Sequence, residues 1–225
     1  MTDISVEHSR DLNEAAPSRL ETIASPRLRH LGSSALGTTF WLLFAYANLK
    51  ASIESHRVIG LGIGVLGLWA ALLFLVRRPP ERVSRSVPVW IVAFFGTFGA
   101  SFLRPGGASA GWIDPLGLTL QGFGIVLGAF GYLALGRSLG LVPAHRGLVT
   151  SGAYRVVRHP LYASYVVAEV GYLIQSPRLW NVGVLALAWA CQAVRLLSEE
   201  RLLSTDPEYR VYSARTRWRV IPGVW

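Results

Sequence analysis

The sequence predicts an all-α polytopic membrane protein with about six transmembrane helices, the last two forming a C-terminal helical hairpin. Three observations lead to this fold class. Charged residues make up 16% of the 225 residues and hydrophobic residues 52%, whereas soluble domains average roughly 25% charged residues. The hydrophobic residues are gathered into six apolar runs. The basic residues, which give a formal net charge of +9, are concentrated in alternate connections between those runs, a pattern typical of multi-pass membrane proteins.

The six apolar runs have the composition of membrane-embedded helices. About 20 apolar residues cross the roughly 30 Å of hydrocarbon in a bilayer, and the second run has this length without a single charge. The first and third runs are a little short and the fifth is the shortest, so the bilayer thins locally or neighbouring helices bury the run. The runs are Ser33–Leu49, Val58–Val76, Pro88–Leu103, Pro115–Leu135, Tyr162–Ile174 and Trp180–Leu197.

The connections alternate between rich and poor in Lys and Arg. Of the 22 basic residues, 18 lie in the N-terminal tail, the second and fourth connections and the C-terminal part. Because cytoplasmic loops carry the excess of Lys and Arg, both termini are expected in the cytoplasm, in an inner or plasma membrane. A nucleic-acid-binding protein would gather its basic residues on one soluble face, so no nucleic-acid partner is expected. Cys191 is the single cysteine, so no disulfide and no thiolate metal site is expected.

Glycines recur three or four residues apart in the second and fourth runs. Gly62, Gly64 and Gly67 formally match a dinucleotide-binding fingerprint, but they lie inside a membrane-length run with no strand before it. Small residues at this spacing let helix backbones approach closely. The glycines are therefore interpreted as helix-packing positions.

The chain is expected to have three parts: a cytoplasmic tail (1–32), four transmembrane helices (33–135) and a C-terminal hairpin region (136–225). The hairpin connection, Gln175–Leu179, is very short, so the last two helices are antiparallel neighbours. Two polar stretches, Leu141–Tyr162 and Arg195–Trp225, adjoin the same end of this hairpin and are expected to meet there. Within the second stretch, Pro207–Trp218 is predicted to be a short interfacial helix that covers the site, or a basic tail held on anionic lipid.

Several short motifs in this region resemble the isoprenylcysteine carboxyl methyltransferase family, whose wider superfamily includes phospholipid N-methyltransferases and thiol methyltransferases. The resemblance covers roughly residues 136–225, and the first four runs carry no such signature. The motifs are Leu148–Tyr154 (LVTSGAY), Arg158–Tyr162 (RHPLY), the pair Glu199–Glu200, Tyr209 with Tyr212, and Arg219–Pro222 (RVIP).

The resemblance implies a cytoplasmic cofactor pocket and S-adenosylmethionine as the cofactor. It implies transfer of a methyl group to a lipophilic acceptor, which could be the carboxylate of an isoprenylcysteine-like or prenylated molecule, a lipid amine or a thiol. Glu199 would contact the cofactor and Arg195 would face the acceptor. The cofactor-binding set implied is Arg146, Gly147, Leu148, Val149, Tyr154, His159, Pro160, Leu161, Tyr162 and Glu199. The family often has His where this chain has Arg146, so a backbone role is expected there.

The residues themselves support these roles and leave alternatives. His159 and Pro160 open the fifth helix, whose N-terminus favours an anionic group such as a carboxylate. The alternative is that His159 is only a helix-capping histidine.

Arg195 and Glu199 lie one helical turn apart on one face. Arg195 is near membrane depth, where an ionisable group is a functional candidate; alternatively it reaches to the interface and pairs with Glu199.

Glu169 is the one acidic residue inside the fifth run. A carboxylate in lipid is costly unless it is paired, protonated or facing a cavity. Glu169 is therefore predicted to line the acceptor tunnel as a substrate-binding residue, or else to be a structural residue that is either part of a buried pair or protonated.

Two other functions remain open from the sequence. Sterol-reductase-like membrane enzymes use NADPH and share an RHP-x-Y element, but they usually have Asn before the Tyr and Gly-Glu shortly after. This chain has Leu161 before Tyr162, with Ser164 and Tyr165 following, which disfavours the reductase. The second alternative is a non-enzymatic membrane protein that retains the motif only for packing.

Overall fold

The computed structural model describes residues 26–56, 58–80, 82–83, 87–106, 111, 113–140, 144–145 and 147–225. This part of the chain is all-α apart from one pair of two-residue strands, as predicted. Its elements are α1 (Pro26–Ser55), α2 (Val58–Val76), β1 (Arg82–Val83), α3 (Val87–Phe98), α4 (Asp114–Leu135), β2 (Ala144–His145), α5 (Pro160–Gln175), α6 (Leu179–Leu203) and α7 (Pro207–Arg215). Short 3₁₀ turns follow at Gly99–Phe102, Gly136–Ser138 and Gly152–Arg155.

The chain divides into two compact units, Met1–Ser33 and Ser34–Trp225. The structure describes only residues 26–33 of the first unit, the opening turns of α1. Most of the predicted tail, 1–32, therefore lies outside the described residues. The second unit contains everything that follows. The predicted division between 135 and 136 stays a prediction.

Each of the six apolar runs forms a helix. By length and composition, α2, α4 with its following turn, and α6 are able to cross a membrane. The segment Val87–Phe102, α3 and its following turn, is apolar but shorter. α1 extends beyond its apolar run at both ends, because hydropathy marks only the part of a helix suited to lipid and not the whole helix. That α1, α3 and α5 also cross the bilayer stays a prediction.

Proline and aspartate mark the beginnings of the later helices. Pro115, Pro160 and Pro207 each occupy the first turn of a helix, where the missing N–H would have no intrahelical partner in any case. At α7 the Asp206 side chain also accepts a hydrogen bond from the backbone N–H of Glu208 at 2.8 Å, a typical N-cap. The start of α5 matters most, because the site is built around it.

Glycines bring the helix backbones together, as the sequence predicts. A Cβ atom on Gly124 of α4 would lie 2.8 Å from both the backbone nitrogen of Ala168 and the carbonyl oxygen of Ser164 in α5. A Cβ on Gly67 of α2 would lie 3.1 Å from the Cβ of Ala45 in α1. The apolar faces of α4 and α5, and of α1 and α2, therefore pack at close range.

The loops gather at two ends of the second unit. At one end, β1 pairs antiparallel with β2, joining the second connection to the fourth. At the other end, the third connection is tied to the hairpin turn by Asn181, which is fully buried. The Asn181 amide accepts from the backbone N–H of Arg104 and donates to the carbonyls of Arg104 and Ser176, at 2.8–2.9 Å. The basic-rich and basic-poor connections thus lie at opposite ends.

Candidate functional site

A cavity lies at the basic-rich end, between the loop that precedes α5, the start of α5, the end of α6, and α7. Its interior volume is about 110 Å³, and the cavity opens to the outside. The helices α1 to α4 also contribute to its wall. Its lining comprises Trp41, Phe74, Thr97, Tyr132, Leu135, Ser138, Leu139, Gly140, Gly147, Leu148, Val149, Tyr154, Arg158, His159, Leu161, Tyr162, Tyr165, Arg195, Glu199, Leu203, Tyr209 and Tyr212.

Most of the predicted site residues meet in this cavity. Those that line it are Gly147, Leu148, Val149, Tyr154, His159, Leu161, Tyr162, Arg195 and Glu199. Pro160 does not line it and is fully buried in the first turn of α5. Arg146 lies outside the described residues. Glu169 lies elsewhere along α5, as described below.

The loop before α5 exposes its backbone to the cavity. Gly147 has φ = 94° and Gly152 has φ = 61°, values in the left-handed region that glycine adopts at little cost. Leu148 and Val149 follow Gly147 in the cavity wall. Because a Cβ at Gly147 would be strained, the loop keeps a chain path in which backbone groups can approach a ligand.

Glu199 and Tyr162 join α6 to α5 within the cavity. The Tyr162 hydroxyl donates to a Glu199 carboxylate oxygen at 3.4 Å, and the Glu199 side chain is half-buried. Within the described residues, Glu199 does not form an ion pair with Arg195. The structure therefore does not show the Arg195–Glu199 pair that the sequence offered as an alternative. One carboxylate therefore remains available to a ligand's hydroxyl or amino groups.

Arg195 lies in the cavity wall with neutral partners. Its Nη1 donates to the Thr97 hydroxyl at 2.7 Å and its Nη2 to the Gly140 carbonyl at 3.0 Å. The guanidinium carbon stands 5.4 Å from the centroid of the Tyr162 ring. Its Nε is buried and has no hydrogen-bond partner. Among the described residues no carboxylate forms an ion pair with Arg195 within 4.0 Å, and Glu199, one turn further along α6, interacts with its charge at longer range.

Glu200, next in sequence, has a different environment and was missed as a site-building residue. Its carboxylate contacts Arg158 Nη1 at 2.9 Å, His159 Nε2 at 3.2 Å and Arg219 Nε at 2.7 Å, and accepts from the Tyr209 hydroxyl at 3.3 Å. Glu200 therefore pairs with basic residues of the fourth connection and of the C-terminal segment, and its carboxylate is buried. No sequence spacing signals this cluster, because its members come from four separate places in the chain: the start of α5, the end of α6, α7 and the segment after α7.

His159 is also explained by this cluster. It occupies the N-cap position of α5, but its side chain makes no capping hydrogen bond. Its ring instead contacts Glu200 and is 6% exposed. The alternative of a simple helix-capping histidine is therefore wrong, and the ring is held in place at the cavity wall.

The segment after α7 runs alongside the start of α5. The backbone N–H of Arg158 donates to the Trp218 carbonyl at 2.9 Å, and that of His159 donates to the Arg219 carbonyl at 2.8 Å. The RHPLY motif and the C-terminal part of the chain are thus joined by backbone as well as by Glu200. This contact fixes the position of the cavity's outer wall.

α7 covers the cavity, as predicted, although the helix ends at Arg215 and not at Trp218. Tyr209 and Tyr212 of α7 line the cavity. The Tyr212 hydroxyl donates to the Tyr154 carbonyl at 2.7 Å, and burial raises the pKa of Tyr212 to about 12. The hydroxyl therefore keeps its proton at neutral pH and can hold α7 against the loop. That α7 lies at a membrane interface stays a prediction.

Glu169 is placed outside the cavity lining. It is 9% exposed, and the Trp189 indole N–H donates to its carboxylate at 2.5 Å. The contact joins α5 to α6 below the cavity. This position matches the buried structural pair, the second of the two alternatives for Glu169.

The described lining combines features that suit a nucleoside bearing an amino acid and a cation. Glu199 can accept hydrogen bonds from hydroxyl or amino groups, and the buried Arg158 Nε, which has no partner, can donate to a carboxylate. Tyr154 and Tyr162 present aromatic rings, which attract cations. In the described residues, no group of three or more His, Cys, Asp or Glu could hold a metal ion.

Comparisons with known proteins connect this region to a family. Residues 136–205 match the isoprenylcysteine carboxyl methyltransferase (ICMT) family. This segment contains Gly147, Tyr162, Arg195 and Glu199, whereas Thr97 and the other lining residues from α1 to α4 lie outside it.

Curated relatives match over part of their length. The chain is 38% identical over 112 residues to the cobalt-zinc-cadmium resistance protein CzcN of Cupriavidus metallidurans, covering 47% of this chain and 49% of the relative. It is 29% identical over 106 residues to protein-S-isoprenylcysteine O-methyltransferase B of Arabidopsis thaliana, covering 44% and 53%. The chain spans about half the length of these relatives.

Proposed function

We propose that this chain is an integral membrane methyltransferase, because its residues 136–205 match the isoprenylcysteine carboxyl methyltransferase family. It uses S-adenosylmethionine and methylates a lipophilic acceptor. The observation that carries the proposal is a single cavity in which the RHPLY motif, the loop at 147–149 and Glu199 come together. These parts are separated in sequence, and the fold joins them around one cavity that opens to the outside.

The cofactor is held by the wall that belongs to the family segment. Glu199 would bind its hydroxyl or amino groups, the backbone at Gly147–Val149 would border it, and the Arg158 Nε, which has no partner, would donate to its carboxylate. Tyr154 and Tyr162 stabilise the positive charge through their rings. When bound, S-adenosylmethionine supplies an electrophilic methyl group on a sulfonium sulfur.

The acceptor occupies the wall supplied by α1, α2 and α4. Trp41, Phe74, Tyr132 and Leu135 line the same cavity from these helices, and such a surface suits an apolar body. Arg195 forms hydrogen bonds only to neutral oxygens and its Nε has no partner, so its guanidinium can pair with an anionic head such as a carboxylate or thiolate. A protonated lipid amine is disfavoured beside this guanidinium. The acceptor proposed is therefore a lipophilic carboxylate of the isoprenylcysteine kind, or a lipophilic thiol.

The reaction is an in-line displacement at the methyl carbon. A lone pair of the acceptor oxygen or sulfur would form the new bond to the methyl carbon that the cofactor supplies, and the electrons of the broken sulfur–carbon bond would remain on the cofactor's sulfur. S-adenosylhomocysteine and a methyl ester or thioether result. An ionised acceptor loses no proton, so no general base is needed. The chain contributes alignment of the two reactants and exclusion of water.

Equilibrium binding to purified protein in nanodiscs tests the cofactor assignment. We expect S-adenosylmethionine to bind the wild type, and Glu199→Gln to bind it at least about ten-fold more weakly, since a charge-assisted hydrogen bond contributes about 1.5–3 kcal/mol. Glu54→Gln is the matched control, because Glu54 is an exposed residue of α1. NADPH is titrated in parallel. Binding of NADPH in place of S-adenosylmethionine would assign the chain to the reductases, and binding of neither would contradict an enzymatic cofactor site.

The acceptor class is tested by transfer of a radiolabelled methyl group. Three lipophilic probes are compared: N-acetyl-S-farnesylcysteine, farnesyl thiol and phosphatidylethanolamine. We expect transfer to the carboxylate or the thiol and none to the amine. Transfer to phosphatidylethanolamine alone would contradict the anionic acceptor.

A further inference from the structure

We propose that Thr97 of α3 is a positioning residue that orients Arg195 for an anionic acceptor head. The inference rests on the proposed function, in which Arg195 faces the acceptor. It extends that function to a helix outside the family segment, since Thr97 lies well before residue 136. It also gives α3 a defined part in the site.

The Thr97 hydroxyl has a fixed orientation. It donates its single proton to the carbonyl of Ala93, one turn earlier in α3, at 2.8 Å. Only its lone pairs then remain available, and one of them accepts the Nη1 of Arg195 at 2.7 Å. Because the proton is committed to the helix backbone, the oxygen is a dedicated acceptor for the guanidinium.

Close approach of α3 to α6 makes this contact possible. A Cβ on Gly96 would lie 3.1 Å from the backbone nitrogen of Gln192, and a Cβ on Gly99 would lie 2.8 Å from the Cβ of Ala188. The two glycines therefore let the backbones pack at a distance that a short hydroxyl can bridge. Thr97 lies between them in sequence and reaches Arg195, nearly one turn beyond Gln192 on α6.

The second contact of Arg195 completes the orientation without neutralising the charge. The Gly140 carbonyl accepts Nη2 at 3.0 Å, so two neutral oxygens hold the two ends of the planar guanidinium. The buried Nε has no partner. A guanidinium held by neutral groups keeps its positive charge for a ligand, whereas one paired with a carboxylate would not.

Removing the Thr97 hydroxyl removes one of the two hydrogen bonds that orient the Arg195 guanidinium. Thr97→Val keeps the shape and the β-branch of the side chain but leaves Nη1 without its acceptor. We expect Arg195 then to sample other orientations, so an anionic acceptor head loses affinity while the cofactor wall, built from other residues, is unchanged. Thr97→Ser retains the oxygen and is expected to restore the affinity.

The experiment measures binding of a charged probe and its neutral counterpart. N-acetyl-S-farnesylcysteine and its methyl ester are titrated into the full chain in nanodiscs, with and without saturating S-adenosylhomocysteine. The variants are wild type, Thr97→Val, Thr97→Ser and Thr119→Val. Thr119 is the matched control, because it is exposed on α4 and makes the same backbone hydrogen bond one turn earlier, to Pro115 at 2.7 Å.

We expect the wild type and Thr119→Val to bind the carboxylate at least about ten-fold more tightly than the ester. Thr97→Val should lose most of this preference while its affinities for the ester and for S-adenosylhomocysteine stay unchanged, and Thr97→Ser should regain the preference. In an Arg195→Gln background, Thr97→Val should have no further effect, because two residues that act through one contact are not additive.

An unchanged preference in Thr97→Val would overturn the positioning role, and so would a wild type that does not distinguish the carboxylate from the ester. An equal loss for both probes would also overturn it, since that indicates general damage to the cavity. Failure of the proposed function has a different signature: S-adenosylhomocysteine and S-adenosylmethionine do not bind the wild type, whatever the probes do.

Discussion

Glu199 and Glu200 are adjacent and chemically identical, yet they do different things. Successive residues of an α-helix point about 100° apart, so one side chain faces the cavity and the other faces the start of α5 and the C-terminal segment. Glu199 has a single long contact with Tyr162. Glu200 is 8% exposed and joins Arg158, His159 and Arg219. Glu199 is therefore available to a ligand, whereas Glu200 joins the segments that form the cavity wall.

Glu200→Gln is expected to destabilise the protein by about 3 kcal/mol, because removing one partner of a buried ion pair leaves the other charges uncompensated. Thermal unfolding in detergent measures this as a lower midpoint. Glu208→Gln, an exposed position in α7, is the matched control and should unfold like the wild type. If Glu200→Gln unfolded at the wild-type temperature, Glu200 would not be the centre of a stabilising cluster.

Tyr212 provides a prediction about pH. Burial raises the pKa of its hydroxyl from 10.0 to about 12, so the unfolded chain loses this proton first as pH rises. The stability from this group is complete below about pH 10 and is lost towards pH 12, by at most about 2–3 kcal/mol. Unfolding followed between these pH values should show a shallower decline for Tyr212→Phe. Tyr46→Phe, at an exposed position, should decline as steeply as the wild type, and equal slopes for all three would contradict the prediction.

Sequence reasoning reached the residues that line the cavity but not the contacts that hold them. The cavity-lining residues in short motifs are Tyr154, Tyr162 and Glu199. The hairpin of α5 and α6 brings these motifs together, so their meeting could be predicted without knowing which side chains contact each other. The Glu200 cluster and the Thr97–Arg195 contact depend on how separate helices are packed. The periodicity or residue spacing within one segment does not predict the distance between two packed helices.

At the scale of the helices, composition predicted close packing but not which glycines provide it. Gly122 and Gly124 lie two residues apart and therefore on different faces of α4. Gly124 packs directly on α5, whereas nothing lies within 4 Å of a Cβ built on Gly122. Only the position of α5 shows that Gly124, and not Gly122, is the packing glycine.

Substitutions at these two glycines make a matched pair. Gly124→Ala is expected to lower the thermal midpoint, because the new Cβ would meet backbone atoms of Ala168 and Ser164 at 2.8 Å and α5 must move away. Gly122→Ala has open space and should be neutral or stabilising, since alanine is favoured over glycine in helices by up to about 1 kcal/mol. Equal midpoints for the two variants would contradict the α4–α5 contact.

At the scale of the whole molecule, the arrangement of loops follows the charge pattern. The second and fourth connections meet through β1 and β2, and the third connection meets the hairpin turn through Asn181. The alternation of basic-rich and basic-poor loops predicts which connections share a side. Nothing in the sequence predicted that α1 to α4 would line the cavity, because Trp41, Phe74 and Thr97 belong to no motif.

Cysteine labelling in membrane vesicles tests the sidedness. In a Cys191→Ser background, cysteines are introduced one at a time at Gly111, before α4, and at Ala214, in α7; both positions are exposed. A membrane-impermeant maleimide should label Ala214→Cys in inside-out vesicles and Gly111→Cys in right-side-out vesicles. Labelling of both from the same side would contradict the predicted topology.

Asn181 has a consequence for the order of assembly. The peptide groups at Arg104 complete their hydrogen bonds only with a side chain that is synthesised 77 residues later. Until α6 begins to emerge, the backbone of Arg104 lacks this partner. The loop after α3 is therefore tied to the hairpin turn only when the hairpin docks. Residues of α1 to α4 and residues of the hairpin region both line the cavity. The cavity is therefore complete only after this docking step.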